Sequence, residues 1–102
     1  MDYTSDIAKY TSSIDGKAVD AIVRYCGIAL QSRDASLVSC TDSAEIDRIR
    51  KGFATKVLGL GEADADKAIA AICDRMKADK TKHRVTFYYL LAETAGKMDA
   101  LA

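Results

Sequence analysis

Residues 84–93, RVTFYYLLAE, put apolar side chains on every side of whatever element they form. At 3.6 residues per turn, Val85, Phe87, Tyr88, Leu90, Leu91, Ala92 and Ala95 point in all directions, so a helix built from them must be enclosed by the rest of the chain. The fragment VTFYY has the aromatic and β-branched content of a strand, but its only candidate partner is ASLVSC (35–40), and the run continues into LLAETAGKM without a turn signal. The expectation is a central helix running from near Arg84 towards Met98, with the other segments wrapped around it.

Those segments also read as helices. Proline is absent and 17 residues are alanine, the best helix former. Tyr3, Ile7, Tyr10 and Ile14 form the stripe of a short first helix, with Asp2 or Thr4 placed to cap it. After the break at Ser12, Ser13, Asp15 and Gly16, a second helix shows a broad face of Ala18, Val19, Ile22, Val23, Cys26, Ala29 and Leu30. Its solvated side carries Lys17, Asp20 and Arg24, with Asp20 and Arg24 spaced for an i, i+4 pair.

Residues 31–42 have no helical period and read as an extended connector pinned by Leu37 and Val38. Asp42 and Glu45 fit a capping box, in which each side chain meets the other residue's backbone N–H, so a third helix starts at Ser43. Ile46, Ile49, Phe53 and Val57 are its buried stripe, and Gly59 ends it with Leu60 folded back. Glu62, Asp64 and Asp66 after Gly61 open a fourth helix, and Arg75, Lys77 and Lys80 close it, both in the sense that opposes the helix dipole. Its inner face is Ile69, Ile72, Cys73 and Met76. The fold class is therefore all-α: one domain over residues 1–102, with four main helices, a short N-terminal helix, and the last helix central.

With these segments laid out, the chain resembles a family of short bacterial proteins defined only as a domain of unknown function. The resemblance rests on RDASLVSCTDSAE (33–45), KVLGL (56–60), AIAAICDRM (68–76) and RVTFYYLLAE (84–93), and extends from about Tyr3 to Met98. It implies no activity, cofactor or catalytic residue.

Fifteen basic residues balance fifteen acidic ones, so net charge gives no long-range pull towards nucleic acid, and no window is long and apolar enough for a membrane span. Cys26, Cys40 and Cys73 make an odd set without a C-x-x-C pair, which reads as reduced thiols in a cytoplasmic protein. One histidine and three scattered cysteines offer no metal site, and the acids at 62, 64 and 66 lack the pattern of a calcium loop.

The densest charge is the corner at residues 75–84, where Arg75, Lys77, Lys80, Lys82 and Arg84 face one acid, Asp79. Lys80, Lys82, His83 and Arg84 are candidate anion-binding residues, since they lie where a helix start would add free N–H groups. The competing account is a plain interhelix corner with Asp79 or Thr81 as a cap. Cys40 with His83 as its base is a candidate nucleophilic pair, set against a Cys40 that packs as a small apolar residue. Tyr3, Tyr10 and Tyr25 read as core rings with wet hydroxyl tips.

No convergent set of acids, bases and nucleophiles emerges. The expectation is a protein without catalytic activity or cofactor, acting through a protein partner or as a homo-oligomer, with anion or nucleic-acid binding at the corner as the alternative.

Overall fold

Residues 85–92 are all buried, each 6% exposed or less, because the elements around them close on every side. The computed structural model describes residues 3–32 and 35–101, leaving out the side chain of Ile28. Asp2, and Arg33 and Asp34 of the connector, lie outside the described residues.

In chain order, α1 (Tyr3–Ile7) leads through a turn to α2 (Gly16–Cys26), which passes into a 3₁₀ turn over Gly27–Gln31. After the connector come α3 (Ser43–Ile49), a π-helical stretch (Arg50–Val57), α4 (Glu62–Arg75), α5 (Arg84–Thr94) and a last 3₁₀ turn (Met98–Leu101). Helices α1, α2 and α4 and the π stretch all pack on α5, so the expected all-α architecture with a central last helix is the observed one. The buried apolar residues form one cluster.

Local chemistry sets the boundaries. Asp15 caps α2 by accepting from the Lys17 and Ala18 N–H groups at 3.0 and 3.4 Å. Gly59, at φ +70°, ends the third helical segment as expected, while Leu60 folds back to donate to the Ala54 carbonyl at 3.0 Å. Gly96, at φ +69°, stops α5 sooner than the apolar pattern alone predicts: Lys97 N–H returns to the Ala92 carbonyl at 2.9 Å, and Met98 belongs to the following turn.

Three local expectations are corrected. The α1 stripe does not stay helical as far as Tyr10; the chain turns after Ile7, and Tyr10 reaches the core from that turn. The third segment does not keep one pitch: beyond Ile49 it widens into a π-helix, which brings Phe53, Ala54 and Leu58 inward and leaves Val57 half-buried. The capping box is not reciprocal, because Asp42 accepts from the Ala44 N–H at 3.0 Å while the Glu45 side chain turns away to two arginines.

Of the expected extended connector only residues 37–39 are extended, since the described residues turn at 35–36 and again at 40–41, and Val38 is buried. It meets the entrance of α5 in a single antiparallel bridge between Leu37 and His83, with Val38 N–H on the Lys82 carbonyl and Arg84 N–H on the Ser36 carbonyl, both at 2.8 Å. Pairing stops there because His83 is the last extended residue before α5. Among the described residues there is no strand, and no helix is long and apolar enough to cross a membrane.

Candidate functional site

Arg84 opens α5 beside the connector, and its position decides what the basic corner is. Its side chain is only 12% exposed. Nε donates to the Ala35 carbonyl at 2.7 Å, Nη1 to the Tyr88 hydroxyl at 2.9 Å, and Nη2 to the Leu37 carbonyl at 3.2 Å and to the Glu45 carboxylate. Burial works against its charge, but the Tyr88 oxygen and the Glu45 carboxylate outweigh that and hold its pKa above the ordinary value. The guanidinium thus clamps connector, α3 and α5 together.

The other corner residues are not gathered with it. Lys82 Nζ donates to the Asp79 carbonyl at 2.8 Å, His83 sets its ring edge-on to Tyr3 with centroids 6.2 Å apart, and Lys80 stands exposed. Neither expected cap serves α5. Asp79 holds the Thr81 N–H and accepts the Tyr10 hydroxyl, both at 3.0 Å, and His83 occupies the cap position without a side-chain bond.

The cysteine expectation is overturned. Cys40 and Cys73 are bonded to each other as a disulfide, so they are not reduced thiols, and Cys40 is not available as the nucleophile of a pair with His83. Cys26 is free and partly buried, and burial pushes its thiol up to about 11. Among the described residues no three His, Cys, Asp or Glu side chains are placed to hold a metal. In the acidic run, Asp66 pairs with Arg50 at 3.1 Å.

What the Arg84 clamp builds is a groove of about 680 Å³ between the end of α2, the connector and the start of α5, lined in part by Tyr25, Cys26, Leu37, Glu45, Arg48 and Tyr88. Its floor is closely packed: Tyr88 stacks on Phe53 with centroids 4.2 Å apart, and Arg84 lies over the Tyr88 ring at 5.6 Å. Tyr25 stands at the lip, 48% exposed, its ring edge-on to Phe53 at 5.4 Å. This corrects the reading of Tyr25 as a core ring. Arg48 carries a side chain 68% exposed and is tied to Glu45 Oε2 through Nε and Nη2, at 3.2 and 2.8 Å.

Residues 2–99 match the family described as a protein of unknown function, DUF2853. The chain belongs to that family. No curated protein matches it. Membership brings no catalytic role to any residue of the groove, whose chemistry has to be read from the side chains themselves. Two signals of it were present in the sequence: the i, i+4 pair of Arg84 and Tyr88, and the i, i+3 pair of Glu45 and Arg48. Either spacing is met on many helix surfaces, and neither says that both pairs share one carboxylate.

Proposed function

We propose that this protein is a non-catalytic contact module, and that the groove beside Tyr25 receives a segment of a partner polypeptide carrying a carboxylate and an apolar side chain. The observation that carries this reading is the pairing of an exposed, backed aromatic ring with an exposed guanidinium at one concavity, since aromatic residues and arginine dominate the energetic centres of protein contacts. Arg48 donates Nε and Nη2 to one Glu45 oxygen, and among the described residues its Nη1 has no acceptor, which suits it to an incoming one. Asp42 also lines the groove, but its carboxylate already accepts the Ala44 N–H.

The partner is another protein rather than a second copy. The apolar helix faces are buried within the chain, and Tyr25 is the one large apolar residue exposed among those described, too little for a self-associating face. The absence of catalytic activity is part of the proposal: Cys40, weighed as the nucleophile, is spent in a disulfide, and His83 is packed against Tyr3.

Panning a random peptide library on phage tests the reading. Enriched peptides should contain acidic and apolar residues, bind wild type, and lose binding in Tyr25→Ser and Arg48→Ala while keeping it in the distant Lys97→Ala. No enrichment, or peptides indifferent to Tyr25 and Arg48, would end it. The alternative, anion binding at the corner, now rests on Lys80, Lys82 and His83, with Arg84 turned inward. Salt-sensitive retention on heparin that Lys80→Ala/Lys82→Ala abolishes would sustain that reading instead.

A further inference from the structure

The Cys40–Cys73 disulfide joins the connector to α4 across a separation of 33 residues. Upstream of it, residues 35–38 have their own anchors: the bridge to His83, the Arg84 bonds to the Ala35 and Leu37 carbonyls, and the buried Val38. The stretch 39–42 has far less. Ser39, Thr41 and Asp42 are exposed, and its internal contacts are a turn from Asp42 N–H to the Ser39 carbonyl at 3.3 Å and a Ser39–Thr41 hydroxyl pair at 3.3 Å. Ser39 and Asp42 nevertheless line the groove, and Asp42 caps the helix that presents Glu45 and Arg48 to it. Beyond the join of Asp42 to α3, the covalent bond to α4 is the main tie on this wall.

The bond is also reachable. Both cysteines are only partly buried, and Cys40 lines an open hollow of about 680 Å³ with Thr41, Ser43, Ala44, Ile46, Asp47 and Arg50, none of which lines the groove. We infer that Cys40–Cys73 is a thiol–disulfide exchange site for small thiols of the glutathione class, entered from the Cys40 hollow, and that its reduction releases residues 39–48 and so loosens the groove. The exchange half of this inference stands alone; the effect on the groove rests on the contact-module reading.

The chemistry balances with two equivalents of thiol. A thiolate attacks Cys40 Sγ, a mixed disulfide forms there, the bond to Cys73 breaks, and the Cys73 thiolate takes up a proton. A second thiolate attacks the sulfur of the bound small thiol, freeing Cys40 to take up a proton and leaving the oxidised dimer of the small thiol. The two electrons that reduce the protein come from the pair of small thiols. A more reducing thiol pool shifts this equilibrium towards the open form and a more oxidising one towards the closed form.

The test uses the intact protein in glutathione buffers of graded ratio, with alkylation and mass spectrometry to count open bridges and hydrogen exchange to locate the consequence. Expected are reversible opening under native conditions, a transient glutathione adduct on Cys40 rather than Cys73, and faster exchange confined to residues 39–48 while 85–92 stay protected. Cys40→Ser/Cys73→Ser should reproduce the exchange pattern of the reduced protein; should that variant fail to fold, reduced wild type still decides. Reduction only in denaturant, exchange accelerated throughout, or unchanged exchange at 39–48 would each overturn the inference. Peptides selected on the oxidised form should bind the reduced form about threefold to tenfold more weakly, through lost preorganisation. Failure to select any peptide would sink the contact reading, and the exchange data would still decide the bridge.

Discussion

Two acids from distant segments grip the first turn of α5 in different ways. Asp6, 5% exposed, accepts the Thr86 hydroxyl and an exposed Lys9 at 3.0 Å; Glu45, 4% exposed, accepts the buried Arg84 and the exposed Arg48. Positions 84 and 86 lie roughly 200° apart around a helix, so the carboxylates hold opposite sides. The first turn of α5 has no acid of its own, and these two supply negative charge at the end where the dipole favours it. They differ in what is left behind when each is removed. On the Glu45 side it is a buried cation, and on the Asp6 side a buried neutral hydroxyl.

That difference ranks the expected losses. Glu45→Ala strands Arg84 without its counter-charge and should cost about 3–5 kcal/mol, read as a large fall in urea midpoint at constant slope. Replacing both partners, Glu45→Leu with Arg84→Met, should recover most of it, because no buried charge then lacks a partner. A double variant no more stable than Glu45→Ala would mean that the carbonyl bonds to Ala35 and Leu37, rather than the ion pair, are what Arg84 contributes.

Next in size is the bridge, which touches one grip and not the other. Opening a loop of 33 residues by Cys40→Ser/Cys73→Ser should cost about 2–4 kcal/mol. The double variant should also reduce the coupling between Glu45 and Arg84 in a mutant cycle, while leaving that between Asp6 and Thr86 intact. Equal change at both would show that the bridge acts on the whole fold rather than on α3.

Asp6→Ala should cost less, about 1–3 kcal/mol, since the Thr86 hydroxyl loses its acceptor in a dry site. Thr86→Val in that background should then be nearly neutral, since it removes the orphaned hydroxyl. A further large loss would mean that Thr86 has a second role.

The same contrast explains what could be read in the sequence. The enclosure of α5 was legible because it follows from side chains alone: eight consecutive residues that no single face can hold. The start at Ser43 and the stop at Gly59 were legible because cap and left-handed residue are local. Glu45 was misassigned by that same locality, since the capping box it fits competes with an arginine 39 positions away that no spacing rule connects to it. The Cys40–Cys73 bond depends likewise on where the connector crosses α4, and an odd cysteine count concealed it. Asp6 left a faint trace, for Thr86 is the one hydroxyl-bearing β-branched residue inside the buried run and needs a partner. The corner at 75–84 was legible as charge but not as direction, because Arg84 points inward only once the connector carbonyls are beside it.

The smallest effect expected is alkaline, and it separates the two sides by pH. Cys26 lies on the Glu45 side, its thiol raised from 9.0 to about 11 by burial, with Arg84 pulling the other way. Tyr10 lies on the Asp6 side, raised from 10.0 to about 12 by burial and by its bond to Asp79, with Asp6 adding to the rise. In each case the folded state keeps its proton longer than the unfolded one, so the unfolded state gains by ionising first and stability falls as pH rises. The Cys26 contribution is complete below pH 9 and gone above about 11, while that of Tyr10 is complete below pH 10 and gone above about 12. Urea midpoints measured from pH 8 upward should therefore decline, with Cys26 setting the lower step and Tyr10 the upper, to which Tyr3 and Tyr88, also raised by burial, add. Cys26→Ala should flatten the lower step and Tyr10→Phe reduce the upper, each leaving the other in place. If Tyr10→Phe flattened both, the two sides of α5 would be titrating as one unit, and the independence of the two grips would be lost.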